Sequence, residues 1–281
     1  MWLGHDDVMA PDYISRCVEA IEQDAERALC FTNANCIDIK GDLIQQVDLP
    51  NPGASEIPSE RFGGTLLGLC DPICGLMKVE FLKQTRLHGA YADSDRVLLA
   101  EMALRGRFRH ISDFLFYRRR HPLRTTVRYS DHWDRTLVFD PSKAGKLICP
   151  WVREVFDFIV TIRRTPICWK DRYKCCKYLY WWYCAHHKFL HQDLLRGLKW
   201  ITNRMMMCPT IIKPFDDDGR AFGDGSHRSE RAQLVRAIDF VDVVADAIDY
   251  QQQDFGREGV SAPPTDQHGD NVELRSDTTS L

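Results

Sequence analysis

The sequence lacks several features that would place it quickly. No apolar run approaches the roughly 18 to 20 uninterrupted residues that span a bilayer, which excludes a polytopic membrane protein. Met1 to Asp7 has no basic segment leading into an apolar one, so no secretory signal is read there. There are no internal repeats. Cys70 and Cys74 have no matching Cys or His pair nearby, so a zinc module is disfavoured against buried thiols. The net charge is only −3, which points to no partner by itself. With 44% hydrophobic and 27% charged residues, the chain is neither disordered throughout nor collagen-like.

Cysteine, by contrast, is plentiful. The eleven cysteines are odd in number, and several fall on apolar stripes where a thiol acts as a small hydrophobe. The expectation is reduced thiols in a cytoplasmic compartment. Charge is unevenly spread: Arg105 to Arg135 holds nine Arg against three Asp, and Trp151 to Arg204 holds eleven basic residues against four acids. From Phe215 to the end there are six Arg against fifteen acids. The middle is basic and the tail acidic.

The 281 residues suffice for one large domain or two modest ones. Pro11 and Asp12 open a helix whose Ile14, Cys17, Val18 and Ile21 share one face. Ala28–Phe31 and Cys36–Ile39 read as two short strands, and Lys40-Gly41-Asp42 as the turn into Leu43-Ile44. Pro50 to Glu60 reads as a loop, and Phe62 to Leu69 as apolar chain of open type. Residues 79–86 suit a short helix, and Ser94 to Gly106 a longer one with Gly106 as its cap. Phe108 to Tyr117 reads as one strand or two. The chain from Trp151 to about Cys208 is helical and rich in aromatics. The acidic remainder reads as one amphipathic helix, about Ser229 to Tyr250, within disordered sequence. This divides the chain into 1–128, 129–210 and 211–281.

Four constellations could carry chemistry. His5-Asp6-Asp7 offers adjacent carboxylates for a hard divalent cation, or a solvated turn that caps the next helix. Asp93-Ser94-Asp95 opens the Ser94 helix. It supplies either a rigidly held general base or a capping acid that complements the helix dipole. Arg118-Arg119-Arg120-His121 suits phosphate oxygens and a metal-bound imidazole, or forms a basic edge strand. Asp71-Pro72 with Gly75 marks a tight turn where backbone could approach a ligand. A fifth segment, Tyr178 to Tyr183 with flanking lysines and histidines, is a core helix with a wet basic face or a membrane-interface helix. Nucleic acid is not expected as a partner, since no nucleic-acid-binding motif is present.

The order of these pieces is more specific than any one of them. Trp2-Leu3-Gly4-His5-Asp6-Asp7 is followed by Cys70-Asp71-Pro72 with Gly75. Then come Tyr91-Ala92-Asp93-Ser94-Asp95-Arg96-Val97-Leu98-Leu99-Ala100-Glu101 and Gly106-Arg107-Phe108, and finally Tyr117-Arg118-Arg119-Arg120-His121-Pro122. Over residues 2–125 this resembles the second half of a family 2 glycosyltransferase domain of the inverting GT-A type. The resemblance implies an α/β fold: a partial, Rossmann-like mixed sheet with flanking helices, followed by a helical region and a disordered tail. It implies a nucleotide-diphosphate sugar donor, a saccharide or lipid-linked acceptor, and a divalent metal, Mn or Mg.

Carried over, Asp95 matches the catalytic base with Asp93 as understudy. Asp6 and Asp7 match the DxD-like metal motif, with His121 as a further metal ligand. Arg118, Arg119 and Arg120 would lie near the diphosphate, and Asp71 and Gly75 on the acceptor side. The Gln-x-x-Arg-Trp motif of processive synthases is absent, which favours transfer of single sugars. Family members begin with a strand-helix-strand nucleotide-binding half that this sequence lacks, so the expectation is a truncated and weakly active chain. A peripheral seat on the inner face of the plasma membrane is compatible. The alternative is a non-catalytic remnant that binds a protein or a membrane surface through its basic aromatic helices.

Overall fold

The computed structural model describes residues 1–207. The expected helix at Ser229–Tyr250 and the acidic tail lie outside the described residues. Five strands form one mixed, open sheet, and eight α-helices accompany it among the described residues. The sheet runs β1 (Val8–Met9), β5 (Arg107–Arg119), β2 (Arg27–Ile37), β3 (Leu43–Val47), with β4 (Leu76–Met77) also on β2. The central pair β2–β5 is parallel, and the other pairings are antiparallel.

The two strands expected between Ala28 and Ile39 are one eleven-residue strand, β2. The polar residues Thr32 to Asn35 do not interrupt it, because their side chains are bonded inside the sheet. Asn33 Nδ2 donates to Asp48 Oδ1 at 2.8 Å and to the Ser112 carbonyl at 2.9 Å, and Asn35 Nδ2 donates to the Phe114 carbonyl at 2.9 Å. Two of the three register shifts between β2 and β5 flank Asn33, and the third lies between Arg27 and Leu29. β5 lies between β1 and β2, so the arginines at its end do not sit on an edge strand.

Met1 to Leu3 forms no strand. α1 (Tyr13–Glu22) buries Tyr13, Cys17, Ala20 and Ile21 against the sheet. α2 (Pro58–Leu67) takes in the last residues of the expected loop and most of the Phe62–Leu69 stretch, with Pro58 at its first position. α3 (Val79–Leu82) is shorter than expected. α4 (Ser94–Arg105) is found as the sequence predicts, and nine of its residues are buried. One core joins α1, β2, α4 and β5 through Tyr13, Cys17, Phe31, Leu98, Met102 and Phe116.

Two short helices, α5 (Thr125–Arg128) and α6 (His132–Phe139), follow the sheet. The long helical region then divides at Thr165-Pro166 into α7 (Pro150–Arg164) and α8 (Trp169–Met207), because the residue before proline is held extended. These two helices cover α2 and α4. Phe158 meets Phe62 edge-on at 6.2 Å between ring centroids, and Trp182 meets Phe158 at 5.7 Å. A Cβ on Gly63 would stand 2.6 Å from the Tyr178 ring, so α2 and α8 touch through a glycine. Asp157 of α7 accepts from Tyr91 Oη and from Arg86 Nη1, each at 2.7 Å. That anchors the loop leading into α4.

Candidate functional site

β1 and β5 pair Val8 with Tyr117 and Met9 with Phe116, which brings Asp6 and Asp7 beside the end of β5. The Arg119 N–H donates to Asp7 Oδ1 at 2.9 Å, and His121 Nε2 stands 2.7 Å from Asp6 Oδ2. Burial opposes the Asp6 anion. The His121 hydrogen bond, a backbone bond and the nearby histidine charges outweigh that and hold the carboxyl below its ordinary value. The Asp7 N–H donates to the Gly4 carbonyl at 3.2 Å, closing a turn. A Cβ on Gly4 would lie 2.6 Å from Asp7 Oδ2 and 3.4 Å from Asp6 Oδ1. The glycine therefore leaves room where oxygens of both acids converge.

The three arginines have different surroundings. Arg118 forms an ion pair with Asp71. The Arg119 guanidinium donates to the carbonyls of Asp6 at 3.0 Å and Asp38 at 2.7 Å, so it ties two loops together. Arg120 is exposed. The space a Cβ would take at Gly75 is occupied by the carbonyl oxygens of Cys30 at 2.6 Å and Pro72 at 2.9 Å, so that glycine serves close packing on β2.

The second acidic pair opens α4. Asp93 is in the left-handed region at φ 64°, a conformation Asp tolerates better than most residues. Both its oxygens are engaged: Oδ2 is 2.8 Å from His132 Nε2, and Oδ1 accepts from Arg135 Nη1 at 3.1 Å. Burial opposes this anion too, but the His132 hydrogen bond and the charges of His132 and Arg135 hold it below its ordinary value. Asp95 differs. Its carboxylate accepts from its neighbour's backbone, the Arg96 N–H, at 2.9 Å, and burial followed by the charge of Asp93 raises its pKa. It is a rigidly mounted carboxylate with raised basicity. Such a group can accept a proton from an approaching hydroxyl.

The Cys70–Gly75 segment links the two pairs. The Cys74 thiol is pushed up to about 12, by burial first and then by the charges of Asp7 and Asp95 together. The Cys70 thiol is likewise pushed up to about 12, by burial and then by Asp95, with Asp93 contributing. Asp7 and Asp95 are thus both near enough for their charges to act on Cys74, and Asp71 of the same short loop holds Arg118. His88 adds a link to the amino terminus, with Nδ1 3.1 Å from Ser94 Oγ and its ring 5.9 Å from Trp2.

Asp6, Asp7 and His121 supply two carboxylates and an imidazole, a donor set that fits Mn or Mg. Among the described residues no three His, Cys, Asp or Glu side chains form a ready cage.

The sequence reading missed His132, Arg135 and Glu154. Glu154 of α7 is 1% exposed, neither carboxyl oxygen has a hydrogen-bond partner, and Arg96 Nε is 3.9 Å away. Burial, then the charge of Asp93, raises its carboxyl well above the ordinary range. A cavity of about 210 Å³ is lined by His132 with Asp131, Trp151, Phe189, Asp193 and Arg196 among others; Asp95 does not line it. A scan against protein-family models finds no match, and a search of curated proteins finds none either.

Proposed function

We propose that the chain belongs to an inverting, metal-dependent glycosyltransferase of the family 2 type and that its sheet is the second half of a GT-A domain. The observation that carries this reading is the contrast between two acidic pairs near one loop: Asp6, beside Asp7, is held anionic, whereas burial and the charge of Asp93 make Asp95 more basic. The order of the motifs along the chain supports it.

In this reading the acceptor hydroxyl, of a saccharide or a lipid-linked sugar, approaches Asp95. As its oxygen bonds to the anomeric carbon, the proton passes to the Asp95 carboxylate. The bond from that carbon to the diphosphate oxygen breaks on the opposite face, which inverts the centre. A divalent cation supplies charge neutralisation for the departing diphosphate. Asp6 and Asp7 would hold that cation, with His121 orienting Asp6, and the exposed Arg120, with Arg118 beside Asp71, would offer charge to the diphosphate. Asp93 keeps its charge beside Asp95 and so sustains the raised basicity of the base. One sugar is transferred per encounter.

The test is release of nucleoside diphosphate from a panel of UDP-, GDP-, dTDP- and CDP-sugars with Mn²⁺. The expected result is turnover of at least one donor that stops in Asp95→Asn while donor binding persists. Absence of both turnover and metal-dependent donor binding across the panel would overturn the reading and favour the non-catalytic alternative.

A further inference from the structure

The long helix α8 has two opposed faces, and only one of them is explained by the fold. Cys175, Leu179, Trp182 and Leu190 turn inward and are buried. On the other side, spaced by the helical period, stand Trp169, Tyr173, Trp181, Leu195 and Leu198, between 41% and 74% exposed. Lysines 170, 174, 177, 188 and 199 share this outward side.

The two acids of α8 do not. Asp171 Oδ1 accepts from Ser59 Oγ at 2.6 Å, and Asp193 is 1% exposed, where it accepts from Trp133 Nε1 at 2.6 Å and from the Trp151 N–H at 2.7 Å. Among the described residues of α8 the outward face therefore carries lysines and no carboxylate.

We propose that this face docks the protein on an anionic phospholipid surface, with α8 lying in the plane of the headgroups. Charge complementarity identifies the surface: a stripe of ammonium groups with no acid is matched by phosphate-bearing lipid. The rings and leucines identify it as lipid rather than nucleic acid. Trp and Tyr settle at the boundary between acyl chains and headgroups, and Leu195 and Leu198 offer apolar area that the acyl region takes up and a nucleic acid does not.

The lysines are arranged for this seat. Lys177 Nζ lies 6.0 Å from the Tyr173 ring centroid and 5.9 Å from that of Trp181, and Lys170 Nζ lies 6.0 Å from that of Trp169. Each ammonium can stay at headgroup depth while the adjacent ring sinks below it. From Trp169 to Leu198 the stripe runs about 44 Å along the helix axis, enough to engage many lipids at once. No helix among the described residues is long and apolar enough to cross a membrane, so the contact lies along the surface.

The inference does not depend on the proposed reaction. Its test is co-sedimentation of the full chain with phosphatidylcholine vesicles, with and without phosphatidylglycerol. Binding is expected only with phosphatidylglycerol and should weaken as salt rises. Lys174→Glu with Lys177→Glu should weaken it roughly tenfold or more. Trp169→Ala with Trp181→Ala should weaken it at unchanged charge, which separates insertion from attraction alone. Trp169 and Lys174 are exposed, Lys177 is half-buried and Trp181 meets Tyr178 edge-on at 5.5 Å, so circular dichroism and melting temperature of both variants are compared with the parent and the folded fraction alone is scored. Asp7→Asn should bind vesicles normally.

No binding to phosphatidylglycerol vesicles at low salt overturns the proposal, as does binding that neither double variant changes. Equal or tighter binding to duplex DNA would assign the face to nucleic acid. A dimer that the same variants dissolve, without vesicle binding, would assign it to a second copy of the chain.

Discussion

The pair at the amino terminus and the pair at the start of α4 are built on one plan. In each, the first acid has a histidine close by, His121 2.7 Å from Asp6 and His132 2.8 Å from Asp93. In each, the second acid accepts a backbone N–H at 2.9 Å, from Arg119 onto Asp7 and from Arg96 onto Asp95. The surroundings then diverge. Asp6 and Asp7 lie over a glycine where oxygens of both converge, and Asp6 is held anionic. Asp95 is pressed into a low-dielectric site beside a like charge and becomes more basic. In the proposed reading two similar constellations take opposite tasks, holding a cation and taking a proton, and environment separates them more than residue type does.

The sharpest way to break the comparison is Asp95→Asn. It should lower kcat by about two to four orders of magnitude, measured by single-turnover assay, and leave Mn²⁺ affinity unchanged. Asp7→Asn should do the reverse, weakening Mn²⁺ binding by more than about tenfold as read by electron paramagnetic resonance. Equal effects of the two substitutions on metal binding would erase the distinction.

The next effect concerns pH. Asp95 acts as a base only when deprotonated, so kcat/KM should rise with pH through its raised pKa. Asp93→Asn removes the like charge beside it and should shift that acid limb to lower pH. The same substitution leaves His132 and Arg135 without their carboxylate and should cost about 1–3 kcal/mol of stability, measured by chemical denaturation. A limb that stays in place would mean that Asp93 does not tune Asp95.

The smallest effect tests the region behind the second pair. Glu154 keeps its proton in the folded protein well above its ordinary 4.5, whereas the unfolded chain releases it there. The unfolded state therefore binds fewer protons than the folded one above that value, and stability falls as pH rises toward the folded-state pKa. Asp193, with its carboxyl pushed up to about 6 by burial, adds the same sign between 3.8 and about 6. Glu154→Gln should flatten the decline in stability as pH rises above 4.5, measured by chemical denaturation at a series of pH values. An unchanged slope would show that Glu154 is ionised and paired with Arg96.

Much of this arrangement was legible along the chain where the signal is local. The α4 helix follows from its apolar residues and from Gly106, and most of β5 reads as strand between Phe108 and Tyr117. Asp6, Asp7, Asp93 and Asp95 stand out as acids at element boundaries. What escaped the sequence are pairings across distance. His132 and Arg135 lie about forty residues beyond Asp93, and nothing local marks them as its partners. Arg119 looked suited to a phosphate, yet its guanidinium is bonded to backbone carbonyls. The middle of β2 reads as a break because Asn33 and Asn35 are polar, and only the sheet reveals where their amides are satisfied. Composition describes what a side chain can bond, and tertiary contacts decide what is left over.

The most direct test of the division between the two pairs is Mn²⁺ binding followed by electron paramagnetic resonance, with inorganic pyrophosphate as the second ligand. Pyrophosphate supplies the phosphate oxygens without requiring recognition of any base. The account predicts that pyrophosphate tightens Mn²⁺ binding in the parent and in Asp95→Asn, and that Asp7→Asn abolishes the effect. Pyrophosphate-dependent binding that survives in Asp7→Asn, or that disappears in Asp95→Asn, would contradict it.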